Sequence, residues 1–286
     1  MESVLDRVIK QNTENVNLLK TKDYNIFSVL QIQSKEVLIC RMIADLLNPR
    51  GQHGAGAEYL KIFLRDCLGM EKMDTKLADQ AIVTAEYAID DERRIDIVIE
   101  IGSYFLPIEV KIYAADQKSQ CFDYYQYAKR RDAQAKVYYL TLDGHRPGKD
   151  STSSGSQSVL EEDIVCLSFR VHILNWLKAC KSCENTGMVP ILEQFIQNIE
   201  QISGYISEKV RNMVIDELLK SGDSLRAGMQ IADSINAAKA KLIYLVFEEF
   251  EKQLAGVAER NHWTREKKSN WYEYKEQADE FFYKWN

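Results

Sequence analysis

Apolar positions along the chain change their period twice, and each change marks a different part of the fold. Residues 1–20 place Val4, Leu5, Val8, Ile9, Val16 and Leu19 at helical spacing, which predicts an amphipathic leader helix. A second helix is expected from Ser34 to Asn48, where Pro49 and Gly51 stop it. Its buried stripe reads Cys40, Ile43 and Leu47, with Glu36 on the same side one turn earlier. Asn48–Gly54 reads as a loop, and a third helix is expected from Ala55 to Leu68.

The period then shortens to that of strands. Residues 82–89, 94–101 and 104–111 are runs rich in Ile, Val and Tyr, separated by Asp90–Arg93 and Gly102-Ser103. That is the pattern of a strand meander, and Gly-Ser between two apolar runs signals a type II′ hairpin. A helix over Gln117–Arg131 precedes a fourth strand, Val137–Leu142. Strand–helix–strand order implies a right-handed crossover onto a parallel neighbour. The expected spatial order is therefore 82–89, 94–101, 104–111, 137–142, with the first three antiparallel and the fourth parallel to the third. Asp143–Glu162, rich in Gly and Ser, reads as a mobile loop near the substrate. Ile164–Phe169 follows as a fifth strand and Val171–Cys180 as a helix.

Beyond Gly187 only helical periodicity remains, through residue 257. The aromatic-dense end, Trp271–Asn286, stops without turn or tail chemistry and reads as truncated. The expected organisation is a helical leader (1–33), an α/β core (34–180) and a C-terminal helical region (181–286).

Composition adds exclusions. At 286 residues, 45% hydrophobic and 28% charged, the chain suits one large domain or a catalytic domain with a helical appendage. No run approaches the ~20 apolar residues that span a bilayer, and the N-terminus lacks signal-peptide character. A cytoplasmic protein without a disulfide framework is expected, despite six cysteines. Cys180-Lys-Ser-Cys183 has half a zinc-site spacing, but no second pair or suitable His follows, so two helical cysteines suffice. A net charge of −6 argues against coating nucleic acid by overall positive charge, and leaves room for a local basic groove.

The chemistry concentrates on the central hairpin. Counting outward from Gly102-Ser103 sets Ile101 opposite Tyr104, Ile97 opposite Ile108, Asp96 opposite Glu109 and Arg94 opposite Lys111. Asp96 and Glu109 then form a non-hydrogen-bonded pair, whose Cα atoms lie only about 4.5 Å apart. Alternation sends Asp96, Glu109 and Lys111 to one face and Ile95, Ile97, Ile108 and Val110 to the other. Facing carboxylates in a half-buried site must share a proton, gain cationic partners or bind a metal. Two oxygen ligands with room for water and phosphate suit Mg²⁺ or Mn²⁺, which equips a site for phosphodiester hydrolysis. An ordinary ion network on an exposed hairpin face would leave the same pattern.

Arg94-Ile-Asp96 followed by Ile108-Glu109-Val-Lys111 resembles the D-x(n)-E-x-K signature of the PD-(D/E)xK nucleases. Gln120-Cys-Phe-Asp-Tyr124 is similar to the Q-x-x-x-Y motif of RecB-type members. Asn25–Ser28, Leu46–Gly54 and Tyr139–Gly144 resemble segments of an uncharacterised bacterial branch. The resemblance spans 25–180 and implies a three-layer α/β/α restriction-endonuclease-like core with a mixed sheet. It further implies a Mg²⁺- or Mn²⁺-dependent nuclease acting on DNA, in phage defence or repair, without a membrane. Asp96 and Glu109 would hold the metal, helped by the Val110 carbonyl, and Lys111 would orient water or phosphate. Glu36 would be an added helix-borne carboxylate; a first-turn Glu favoured by the helix dipole explains it equally well. Gln120 and Tyr124 would brace the site or touch the scissile strand, and Tyr124 also suits a core role. His53 is a candidate substrate contact or a hydrogen-bonded loop histidine. Lys129-Arg130-Arg131 suits DNA phosphates but also a helix C-terminus. Ile95 replaces the Pro that names the superfamily, and the cysteines do not match its iron–sulfur members. A catalytically silent binding module, or a hydrolase of RNA or another phosphodiester, are the competing readings.

Overall fold

The Ile, Val and Tyr runs build one five-stranded sheet from β1 (Ile82–Ala88), β2 (Arg94–Ile101), β3 (Tyr104–Lys111), β4 (Val137–Thr141) and β5 (Ile164–Ser168). The computed structural model describes residues 24–71, 74–91, 93–183, 187–205 and 208–260; the expected leader helix and the aromatic end lie outside these. Neighbours follow the order β1-β2-β3-β4-β5, antiparallel through β3 and parallel from β3 onward. The hairpin register matches the count from the turn, with Ile101 on Tyr104, Ile99 on Leu106 and Ile97 on Ile108. Gly102 takes φ 57° while Ser103 does not turn positive, the φ pattern of a II′ turn.

Helices cover both sheet faces. One face carries α1 (Ile26–Val29), α2 (Glu36–Leu47), α3 (Glu58–Asp66), α5 (Leu174–Lys181) and α6 (Val189–Ile202); the other carries α4 (Gln120–Arg131). The stripe of α2 is buried as expected, with Cys40, Ile43 and Leu47 at 1% exposure or less. Trp176 anchors α5: its indole Nε1 donates to the Tyr59 carbonyl at 2.8 Å and its ring meets Phe63 edge-on. Cys180 lies buried in α5 and Cys183 just beyond, both as free thiols.

Two expectations are corrected. Asp143–Glu162 is not a free loop: it forms a helical turn at Lys149–Thr152 and a small hairpin pairing Ser153 with Ser158. Ser151 is fully buried, the Asp150 carbonyl accepts from Ser119 N, and the Ser151 hydroxyl accepts from Cys121 N. The Ser151 hydroxyl and the Asp150 carbonyl thus satisfy the first turn of α4, and that fastens the segment. Similarly, the helix expected at Val171 begins as a wide turn over Phe169–Ile173, capped by Ser168 Oγ accepting from Val171 N.

The described chain divides into two compact units, one being Lys22–Ile206 and the other containing residues 208–260. The first is wider than the expected 34–180 core. Phe27 stacks on Phe195 at 5.3 Å, and Asn25 caps α1 while its amide donates to the Gln194 carbonyl. In the second unit, α7 (Glu208–Leu219) and α8 (Gly222–Arg260) pack where Gly228 admits the side chain of Leu218. No described helix is long and apolar enough to cross a membrane.

Candidate active site

The site lies where β2 begins and β3 ends, between the N-terminal ends of α2 and α4. The β2–β3 pairing extends only to Ile97 and Ile108. One residue further, the side chain of Asp96 replaces the ladder: its Oδ2 accepts from Val110 N at 2.7 Å. Glu109 and Lys111 project from β3 and are 1% and 6% exposed. Lys111 Nζ meets Glu109 Oε1 at 2.6 Å. From the opposite layer, Glu36 Oε2 accepts from Ile112 N at 2.8 Å, which fastens the end of β3 to α2.

Asp96 and Glu109 lie within hydrogen-bonding reach of each other. Both are acceptors when ionised, and Glu109 Oε2 is buried without any donor. Burial pushes Glu109 well above its ordinary range, and the Asp96 charge pushes it further; Lys111 opposes both. Asp96 is raised by burial against the lowering effect of the Val110 N–H, and Glu36 is raised chiefly by burial. Burial pulls Lys111 down, but Glu109, Glu36 and Asp96 outweigh it, so the ammonium form is reinforced. Three carboxyl groups thus share one ammonium, a set that favours uptake of a proton or a cation.

Among the described residues, no three His, Cys, Asp or Glu side chains converge closely enough to hold a metal by themselves. Two adjoining carboxylates, one with an orphaned oxygen, still fit a hard divalent ion that retains several waters.

Gln120 and Tyr124 stand behind the site. Gln120 Nε2 donates to Tyr124 Oη at 3.0 Å, and Tyr124 Oη donates to the Arg94 carbonyl. Both side chains are buried, and Glu109 and Asp96 help raise the phenol, after burial itself. This geometry braces the start of β2. His53 serves its own loop: Nδ1 accepts from Ala55 N, Nε2 meets the Asn48 carbonyl, and the ring stacks on Tyr59 at 4.8 Å. In the basic run, Arg131 pairs with Glu100 and Lys129 with Asp163.

Two residues near Asp96 went unnoticed in the sequence. Arg41 on α2 grips Glu86 Oε2 through Nε at 3.2 Å and Nη2 at 2.7 Å, and the Glu86 charge reaches Asp96. The available signal was a lone Glu inside the run Ile82-Val-Thr-Ala-Glu-Tyr-Ala. One further alternation error concerns Ile95: it packs with Tyr124 and Val98, on the opposite side of the sheet from Ile97, Ile108 and Val110.

A mixed sheet in an α/β/α sandwich, with D…E-x-K on its central hairpin, is the framework of a restriction-endonuclease-like fold. The family model described as the PD-(D/E)XK nuclease superfamily matches residues 24–207, and this chain belongs to that superfamily. The matched span nearly coincides with the Lys22–Ile206 unit. No curated protein and no solved structure matches the chain.

Proposed function

We propose that this chain is a metal-dependent nuclease that hydrolyses DNA phosphodiester bonds at Asp96, Glu109 and Lys111. The observation that carries the reading is the orphaned Glu109 Oε2, buried beside a second carboxyl group. Lys111 offsets one of the two facing carboxylates; burying the second costs stability unless a proton or a further cation joins them, so the arrangement favours a ligand over a purely structural role. Asp96, Glu109 and the Val110 carbonyl would hold Mg²⁺ or Mn²⁺, while Glu36 is engaged with Ile112 N and stands outside that set. The chemistry such an ion supplies is polarisation of a phosphoryl oxygen and screening of the charge developing there.

The chain's own groups do the positioning. Lys111 Nζ, kept protonated by its carboxylate neighbours, offers N–H donors to a phosphate oxygen or to the attacking water. Val110 N–H fixes the rotamer of Asp96, and the Gln120–Tyr124 pair holds the Arg94 carbonyl at the start of the same strand. Burial of the site lowers the local dielectric and strengthens each of these interactions. His53 is left out, because its ring nitrogens are engaged in its own loop.

The close Lys111–Glu109 ion pair favours one second reading, a silent nuclease fold that binds nucleic acid without cutting it. The test is incubation of supercoiled, linear and single-stranded DNA, RNA and a cyclic nucleotide with the purified chain in Mg²⁺, Mn²⁺ or EDTA. Metal-dependent DNA cleavage is expected. Cleavage of RNA or cyclic nucleotide alone moves the substrate class, and binding without cleavage of any substrate supports the silent module.

A further inference from the structure

The hairpin strands change face at one point, and that point is Asp96. Val83 and Ala85 of β1 pack with Ile97 and Ile99 of β2 in the larger core, whereas Tyr87 and Ile95 pack in the smaller core on the other side. Residues two apart on a regular strand share a face, so both strands turn over between Ala85/Ile97 and Tyr87/Ile95. The β1–β2 register resumes at Tyr87 and Ile95 with no residue gained or lost, and only Glu86 and Asp96 are left out of the ladder. At the centre of the turnover Glu86 adopts φ 53°, a left-handed conformation that is rare for a side chain of this kind. The double contact from Arg41 holds its carboxylate. On the far side of β2, the pairing to β3 stops beside the same residue, and Asp96 takes the Val110 N–H.

We infer that Glu86 is a positioning residue: its left-handed backbone, locked by Arg41, kinks β1 and β2 and thereby aims the Asp96 carboxylate at Glu109 and Val110 N–H. A flat β2 would continue its ladder to β3 past Ile97, and Val110 N–H would then be drawn toward a backbone carbonyl rather than to Asp96. Strain stored next to a reactive carboxylate, with a dedicated ion pair to maintain it, is the physical signature of a pre-organised site. The inference rests on the reading of Asp96 as a cation ligand for its functional meaning, but its geometry can be tested without any metal.

The experiment compares Glu86→Val, Glu86→Asn, Arg41→Met and the double variant Arg41→Met/Glu86→Asn in the full chain. Val disfavours the left-handed region, whereas Asn tolerates it and removes the charge. The metal-free readout is the chemical shift and exchange protection of the Val110 amide proton, with circular dichroism and melting temperature to verify folding. The second readout is Mn²⁺ affinity by calorimetry. Glu86→Val and Arg41→Met are expected to lose the Val110 signature and to weaken Mn²⁺ binding by at least about tenfold, the scale of losing a ligand's support. Glu86→Asn is expected to keep both, and to restore both in the Arg41→Met background. If Glu86→Val does not fold, the Arg41→Met loss and its rescue by Asn decide the matter. A folded Glu86→Val, or an Arg41→Met, with the wild-type Val110 signal overturns the inference. Loss in Glu86→Asn equal to that in Glu86→Val overturns it too, because charge rather than backbone would then be responsible. If wild type binds no Mn²⁺, the cation reading of Asp96 fails, and the Val110 signal still judges the kink.

Discussion

Each residue of the carboxylate cluster makes a separable prediction. Asp96→Asn keeps an oxygen for Val110 N–H and removes one of the facing charges. Cleavage should fall steeply, while metal-free stability rises by about 1 kcal/mol, as function-dedicated sites often trade against stability. Lys111→Ala leaves Glu109 buried and unpaired; breaking a buried ion pair costs about 3 kcal/mol, less whatever protonation of Glu109 recovers. Thermal melts at pH 5 and pH 7 should therefore show a smaller deficit at pH 5. The wild-type pH dependence has a definite sign. Glu109, Asp96 and Glu36 are all raised in the folded state, so the folded chain binds more protons than the unfolded one above the ordinary carboxylate range. Their contribution is fully present below the unfolded pKa values and lost as pH rises through the folded ones. Metal-free wild type should lose stability over that window, and Asp96→Asn should lose less. Asp96, Glu109 and Lys111 were legible in the sequence because strand alternation and a two-residue turn fix relative positions locally. Glu86 and Arg41 were not, because a positive φ leaves no mark on composition and their ion pair joins residues 45 positions apart.

At the level of elements, strand order and hairpin register followed from apolar runs, the Gly102-Ser103 turn and the handedness of crossovers. Apart from the wide turn over Phe169–Ile173, three features did not follow. The segment 143–162 reads as mobile because Gly and Ser are common in free loops; its Ser151 hydroxyl and the Asp150 and Ser153 carbonyls instead satisfy the start of α4. Strict alternation puts Ile95 on the wrong face because the strand kinks at Asp96. The third is α1, too short for periodicity to reveal, which is held by Asn25 and by Phe27 on Phe195. Phe27→Ala should cost about 3 kcal/mol, the typical loss for a buried Phe, measured as a shift in the urea midpoint at unchanged slope. An unchanged midpoint would show that α1 is not part of the core. The loop before α3 makes an independent prediction. A Cβ at Gly51 would sit 2.2 Å from the Asp45 carbonyl oxygen and 2.6 Å from the His53 ring. Gly51→Ala should displace His53 from Tyr59 and cost about 2 kcal/mol, with the melting temperature as the check.

For the whole molecule, the superfamily match and the larger compact unit agree on where the nuclease-superfamily fold lies, 24–207 against Lys22–Ile206. A boundary at 180 was expected because the strand signal ends there, but α6 belongs to the larger core through Leu192, Phe195 and Ile199. Periodicity marks which face of a helix is buried without naming the partner that buries it. Everything proposed for the site turns on Asp96 and Glu109 forming a cation site that serves phosphodiester hydrolysis. Calorimetric titration of Mn²⁺ into wild type and Asp96→Asn at pH 7 tests it most directly. Saturable binding by wild type is expected, with loss of that binding in a folded Asp96→Asn. No binding by wild type, or equal binding by the two proteins, would contradict it.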